Sequence, residues 1–198
     1  MKRITAFLLT TGLFLTACNT GTNKNSVDSA KNANKQKDTS SMTTNNRPDT
    51  MTTTPVNKDV SDFAVEAASA NMMEVELGKI VQEKATNPRI KEFGVMMVND
   101  HSNANDELKR LAEQKNITLP ANISKDQQDD INDLNKKTGN DFDKAYMKMM
   151  LDDHKKDIKK FEKAGNDLKD ADIKSFAMKT LPTLQKHLDS AKAITGKQ

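Results

Sequence analysis

Apolar residues from Lys58 onward recur at helical spacing, and this pattern restricts the chain to an all-α fold. No segment alternates apolar and polar residues as a half-buried strand would. Pro88, Pro120 and Gly139 lie where the pattern is interrupted and predict the ends of helices. We therefore predict one helical domain, residues 58–196, with helices over 61–85, 88–115, 124–137, 141–164 and 172–194.

The connections between these helices predict how they are arranged. Short turns place the first two long helices in one antiparallel hairpin and the last two in another. The connection between the hairpins, residues 116–140, contains the short helix and can travel the length of the bundle. We predict a ferritin-like four-helix bundle with a long crossover that contains a short extra helix. Pro182 lies inside the last helix, where we expect a kink.

Residues 1–17 have the composition of a secretory signal peptide, and the single cysteine follows them. Lys2 and Arg3 precede the apolar run Ile4–Leu15, which is too short to span a membrane. Leu15-Thr16-Ala17-Cys18 resembles the lipobox of bacterial lipoproteins, which are cleaved before the cysteine and acylated on it. We expect Cys18 to be lipidated; the alternative is an ordinary signal peptide followed by a free thiol.

Lipidation would anchor an exported protein to a membrane. Several acyl chains make the anchor durable, because each buried methylene contributes about 0.8 kcal/mol and one chain binds only marginally. Asn19 replaces the Asp that marks inner-membrane retention in this class, so we expect the outer membrane, facing the periplasm. In a Gram-positive host the protein would lie outside the single membrane. Residues 18–57 are rich in Asn, Thr, Ser and Lys and predict a disordered, lipid-anchored tether.

Cysteine content and net charge limit what stabilises the fold and what it binds. With Cys18 acylated, no disulfide can form within the mature chain, so packing must hold the fold. The chain has 31 Lys and Arg against 28 Asp and Glu. Loss of Lys2 and Arg3 with the signal leaves a nearly neutral protein. With one Tyr and no Trp, the sequence gives no case for nucleic-acid binding.

The three histidines of the chain each fall near the middle of a long predicted helix, on its apolar face. Glu74 has the matching position on the first helix, and Asp157, three residues after His154, can also face inward. Spacing from the turns, at about 1.5 Å per residue, places all five groups at one level. We predict a transition-metal site formed by Glu74, His101, His154, Asp157 and His187. Asp100 and Asp153 each precede a histidine, and they either orient neighbouring groups or are ordinary boundary charges, which we favour.

Imidazole and carboxylate ligands suit iron, zinc, manganese or copper. A ferritin-type di-iron site needs Glu-x-x-His on two helices, whereas Val98, Leu151 and Leu184 precede the histidines by three residues. We therefore do not expect di-iron oxidase chemistry. Met97 and Met150, each four residues before a histidine, suit either a Cu(I) site or the filling of core gaps, which we favour.

Three classes of function are compatible with these residues. The first is a lipid-anchored envelope bundle that binds a transition metal. The alternative is a non-enzymatic structural or partner-binding envelope protein, in which the same residues form a buried polar network without metal; the sequence indicates no particular protein partner. An enzyme ranks third, because Glu74 and a histidine suit acid–base work but no nucleophile elbow, Walker loop, dinucleotide fingerprint or zinc-protease motif appears.

Several short motifs, in order, resemble one bacterial family. They are Phe63-Ala64-Val65-Glu66-Ala67-Ala68, Glu74-Val75-Glu76-Leu77-Gly78, Asn99-Asp100-His101, Phe142-Asp143, Asp153-His154 and Leu181-Pro182-x-Leu184-x-x-His187. Together they span residues 59–194 and resemble the exported family labelled domain of unknown function 4142 (DUF4142). The resemblance implies a ferritin-like bundle that is secreted or lipid-anchored, of a kind loosely called outer membrane proteins. No activity is assigned to that family, so the resemblance implies no chemistry.

Overall fold

The computed structural model describes residues 25–40 and 56–196, in which every regular element is an α-helix. The prediction of an all-α bundle is confirmed, while the finer ferritin-like assignment stays a prediction. The predicted signal peptide, residues 1–17, and Cys18 lie outside the described residues. The helices are α1 (Ser26–Ser40), α2 (Lys58–Lys84), α3 (Pro88–Gln114), α4 (Lys125–Asn135), α5 (Gly139–Asp167) and α6 (Ala171–Thr195).

Polar side chains define where the helices begin. Asn57 caps α2 by accepting hydrogen bonds from the backbone N–H groups of Asp59 and Val60. The helix therefore begins a little earlier than its apolar pattern predicts. Ser124 and Gln127 form a reciprocal capping box at the start of α4. At each of these ends a short polar side chain satisfies backbone donors that have no partner within the helix.

Two antiparallel hairpins, α2–α3 and α5–α6, form the bundle; α2 also packs on α5 and α3 on α6. Asp143, in the first turns of α5, accepts a hydrogen bond from the backbone N–H of Thr86 in the α2–α3 turn. At the opposite end, Lys115 after α3 forms a 2.7 Å ion pair with Asp170, the N-cap of α6. The connection that contains α4 therefore runs from one end of the bundle to the other.

Residues 26–40 form α1, whereas the sequence predicted a disordered tether across 18–57. Ala30 and Asn34, one turn apart, are 3% and 1% exposed. Asn34 Nδ2 donates to the carbonyl of Thr118, and Asn34 Oδ1 accepts from the backbone N–H of Thr118. Lys31 forms an ion pair with Glu66 on α2. The low apolar content of this segment predicted disorder, but α1 is held on the bundle by polar contacts rather than by an apolar stripe.

The apolar core has two parts, separated along the bundle axis by a polar layer. One part contains Leu77, Met97 and Tyr146, and the other contains Phe63 and Phe161 with their neighbours. Between them lie the buried polar side chains of the long helices. These are Asn71 and Glu74 on α2, His101 on α3, His154 on α5 and His187 on α6. Such a layer costs free energy unless its members are hydrogen-bonded, protonated or bound to an ion.

Helix α6 continues without a break through Pro182. The proline has no N–H, so the carbonyl of Met178 loses its helical donor. Met178 is 56% exposed, and water can satisfy that carbonyl. The helix can therefore extend far enough to bring His187 into the core. None of the helices in the described ranges is both long and apolar enough to cross a bilayer.

Candidate metal centre

Three buried imidazoles from three helices meet in the polar layer. His101, His154 and His187 are 3%, 1% and 0% exposed. Their ring centroids are 5.2–5.7 Å apart. One nitrogen from each ring can be chosen so that all three nitrogens lie within 4.8 Å of one another. The sequence predicted that these histidines would share one level, and the structure brings them together.

A fixed acceptor holds the outward nitrogen of each ring. His101 Nδ1 lies 2.9 Å from Asn71 Oδ1, and His154 Nδ1 lies 2.9 Å from the carbonyl oxygen of Met150. His187 Nε2 lies 2.8 Å from Asp100 Oδ2. These oxygens only accept hydrogen bonds, so the outward nitrogen of each ring must carry the proton and donate it. The opposite nitrogen of each neutral ring therefore has a free lone pair.

The inward nitrogens face one another without donors of their own. His154 Nε2 and His187 Nδ1 are 3.2 Å apart. With both outer nitrogens protonated, this contact brings two lone pairs together in the neutral state. His101 Nε2 is fully buried and has no hydrogen-bond partner among the described residues. Three electron-pair donors thus converge where the described residues supply no proton donor, which is the requirement for binding a cation.

The surroundings keep these imidazoles neutral at ordinary pH. Burial lowers the pKa of His101 well below its usual value, and the neighbouring rings lower it further. Burial also lowers the pKa of His154 to about 4. The pKa of His187 is lowered by burial, although its hydrogen bond to Asp100 acts in the opposite direction. Neutral imidazole is the form that binds metals.

The spacing of the inward nitrogens fits a tetrahedral transition-metal ion. Zinc binds imidazole nitrogens at about 2.0–2.1 Å, which separates two ligands of one ion by roughly 3.3–3.4 Å. The 3.2 Å pair formed by His154 and His187 is already close to this value. The remaining separations extend to 4.8 Å, so His101 must approach the other two rings when an ion binds. Three imidazoles with acceptor-bound outer nitrogens resemble the ligand and outer-shell arrangement of zinc sites in general.

A close approach of two backbones positions the first of these ligands. A Cβ added to Gly94 on α3 would lie 2.8 Å from the carbonyl oxygen of Gly78 on α2, so only glycine fits there. Asn71 precedes Gly78 by seven residues, and His101 follows Gly94 by seven, which is two helical turns in each case. Asn71 and Gly78 therefore lie on the same face of α2, and His101 and Gly94 lie on the same face of α3. The close helix contact at the glycines thus brings Asn71 within hydrogen-bonding distance of His101.

The two predicted carboxylate ligands do not join the imidazoles. Glu74 is 2% exposed, but no oxygen of Glu74 or Asp157 belongs to the group of converging atoms. Asp157 instead borders a cleft between α2 and α5, with Glu74 and Asp153. At about 100° per residue, Asp153 and Asp157 both lie on the same side of His154, offset by roughly 100° and 60° around the helix. Helix α5 thus directs its imidazole and its carboxylates to different places.

Asp100 orients His187, whereas the sequence favoured an ordinary boundary charge at this position. Asp153, its counterpart on α5, instead forms an ion pair with Lys156. Sequence reasoning missed Asn71, although a polar residue one turn before Glu74 on an otherwise apolar stripe was a usable signal. Met97 and Met150 are completely buried in the apolar core. Backbone atoms also contribute, since the carbonyl of Met150 holds His154, and no side-chain pattern can reveal that.

The fold and the site define a class of protein: an all-helical bundle with a buried three-histidine cluster in its interior. The sequence profile of the family described as domain of unknown function (DUF4142) matches residues 45–194. The chain belongs to this family. No curated protein and no solved structure matches the chain.

Proposed function

We propose that the protein is a lipid-anchored bundle of the cell envelope that binds a transition-metal ion through His101, His154 and His187. The observation that carries the proposal is the convergence of three buried imidazole nitrogens, each with its other ring nitrogen held by an acceptor. A purely structural network would pair these nitrogens with donors. Here His101 Nε2 has no partner among the described residues.

The ligand set indicates which ions fit. Three neutral nitrogens of intermediate softness suit zinc or copper(II) and, less well, iron(II) or manganese(II). They leave a fourth tetrahedral position for water or another small ligand. The three rings carry no charge. Asp100 is hydrogen-bonded to His187 and would not bind the ion directly. A bound divalent ion would therefore keep most of its positive charge, which favours an anionic fourth ligand. The bundle would serve storage, sensing or protection.

Counting metal in the purified chain tests the imidazole site. After removal of metal by a chelator and reloading with zinc, we expect one ion per chain that is absent when all three histidines are replaced by Ala. Elemental analysis after gel filtration gives the stoichiometry. The triple variant removes three buried rings, so Asp100→Asn provides a milder test. It leaves every ring in place and should weaken zinc binding by about 10- to 100-fold, because the carboxylate no longer orients His187.

Two results would contradict the metal site. One is an equal zinc content in the wild-type chain and the triple histidine variant. The other is a zinc affinity in Asp100→Asn equal to that of the control Asp106→Asn, a change at an exposed position on α3. If the wild-type chain binds no transition metal, the histidines form only a hydrogen-bond network within an envelope protein.

The anchor rests on the sequence before α1. Cys18 follows an apolar export segment in a lipobox-like tetrad, and Ser26 begins α1, which is packed on the bundle. Eight residues of chain can span at most about 29 Å. An acylated Cys18 would therefore hold the bundle within a short distance of the bilayer rather than on a long tether.

Replacement of Cys18 tests the anchor. The wild-type chain should incorporate labelled fatty acid and sediment with membranes, because several acyl chains bind far more strongly than one. Cys18→Ala should lose both the label and the membrane association while the purified bundle keeps its helical circular dichroism. Wild-type protein that is released in soluble form without label would contradict the anchor.

A further inference from the structure

Helix α1 lies outside the apolar core of the bundle. Neither part of the core contains a described side chain of α1. Among the described side chains of this helix, only Ala30 and Asn34 are buried. The first is small and the second is polar, so little apolar surface leaves water when α1 docks. Helices α2 to α6 therefore form the core without α1.

The surface that receives α1 is fixed by the bundle itself. It consists of residues 116–122, which follow α3 and supply the backbone partners of α1. Ile117 is buried in the core part that contains Phe63 and Phe161, and Leu119 packs against the same part. Because its apolar side chains are held in the core, the segment keeps its place when α1 is not bound to it.

Polar contacts join α1 to this segment. The side-chain amide of Asn34 pairs with the backbone of Thr118, donating to the carbonyl at 2.9 Å and accepting from the N–H at 2.7 Å. Lys37 Nζ donates to Oγ1 of Thr118 at 2.7 Å. At the start of α1, Ser26 Oγ accepts from the backbone N–H of Asn122. These contacts define one docked position for the helix.

An ion pair between half-exposed side chains connects α1 to α2. Lys31 Nζ lies 2.6 Å from Glu66 Oε1, and the two side chains are 31% and 38% exposed. Water and salt compete with such a pair, which typically contributes little to stability. Hydrogen bonds formed in exchange for bonds to water also have a modest net effect. Specific contacts therefore place α1, but they hold it weakly.

The sequence of α1 does not support a helix away from the bundle. The helix has 15 residues, and isolated helices of about this length are marginal in water even when they are rich in Ala. Eight of the 15 are Asn, Asp, Ser or Thr, which favour caps and turns over helix interiors. Docking of α1 and its folding therefore occur together, and its release is a local unfolding step.

We propose that α1 is a detachable strap, which releases from residues 116–122 while the rest of the bundle stays folded. With the strap docked, the eight residues from Cys18 to Ser26 span at most about 29 Å. With the strap released, the 40 residues from Cys18 to Lys58 span at most about 140 Å. The strap thus sets how far the bundle can extend from the bilayer. This effect on reach rests on the lipid anchor proposed above, whereas the release does not.

Hydrogen–deuterium exchange of the full mature chain, followed by mass spectrometry of its peptides, measures the release. Amides of residues 29–38 should exchange at least about 100-fold faster than those at the centres of α3 and α5, because opening of α1 leaves the core folded. They should still exchange at least about tenfold more slowly than in an unstructured peptide of the same sequence, because the docked state predominates.

Two substitutions on α1 form a matched pair. Asn34 is buried and bonded to Thr118, whereas Asn32, on the same helix, is exposed. Asn34→Ala should remove the protection of α1 from exchange, because the paired backbone groups lose their partner. It should leave the protection of α5 unchanged. Asn32→Ala should leave the exchange of both helices unchanged.

Three results would overturn the strap. They are protection of α1 as strong as that at the centre of α5, no protection of α1 in the wild type, and equal exchange of α1 in Asn34→Ala and Asn32→Ala.

Neutron reflectometry of the acylated protein on a supported bilayer measures the reach separately. The protein layer should be thicker for Asn34→Ala than for the wild type or Asn32→Ala, and equal thickness would overturn the effect on reach. Wild-type protein that does not stay on the bilayer would contradict the anchor, and with it the effect on reach. The exchange measurements decide the release in either case, so the strap and the anchor can fail separately.

Discussion

Zinc affinity at the three-histidine cluster is expected to fall by no more than about thirtyfold between pH 7 and pH 5. Metal binding competes with protons for the inward nitrogens. The pKa of His154 is about 4 and that of His101 is well below its usual value, so both rings stay neutral over this range. Only His187, whose pKa is lowered less completely because of Asp100, can take up a proton appreciably.

An exposed three-histidine site would behave very differently. Imidazoles with the ordinary pKa of about 6.5 would lose roughly ten-thousandfold in affinity over the same two pH units, because all three become protonated. Competition against a chelator of known zinc affinity at each pH measures the difference, with a short unstructured peptide that contains three histidines as the control. A loss as large as that of the peptide would show that the imidazoles have ordinary pKa values and would contradict the buried cluster.

The helices of this protein were predictable because their apolar faces and polar caps are local features. The spacing of Phe63, Leu77 and Val81 marks α2, and Asn87 with Pro88 marks the start of α3. The level shared by the three histidines followed from counting residues to the turns. Helix α1 was not predictable in this way, because Asn34 and Lys31 bind it to residues that are distant in sequence.

The composition of the site was harder to predict than its level. Counting residues along a helix gives the position of a side chain along the bundle axis accurately. It gives the direction in which that side chain points only to within the width of the apolar face. Asp157 and His154 are close in sequence, yet the rotation between them directs the carboxylate into the cleft with Glu74. The partners of the rings are a side-chain amide, a carboxylate and a backbone carbonyl, and only tertiary packing brings Asn71 to His101 or Asp100 to His187.

The metal-free protein should show opposite pH dependences of stability in two single variants. The pKa of His154 in the folded state is about 4, below its usual 6.5, so the unfolded chain takes up the proton first as pH falls. Stability from His154 is therefore present above pH 6.5 and lost as pH falls to 4. The pKa of Asp157 is about 6, above its usual 3.8, so the folded chain takes up that proton first and gains stability as pH falls from 6 to 3.8.

Each effect is on the order of 3 kcal/mol, so the two nearly cancel in the wild type between pH 6 and pH 4. His101 adds to the first effect and Glu74 to the second, because burial shifts their pKa values in the same directions. In Asp157→Asn, the free energy of unfolding should fall as pH decreases from 7 to 4, and in His154→Gln it should rise. Urea unfolding at several pH values, with chelator present and Asp106→Asn as the control, measures both slopes. Parallel curves for the two variants would show that these groups do not have the opposing pKa shifts that their burial implies.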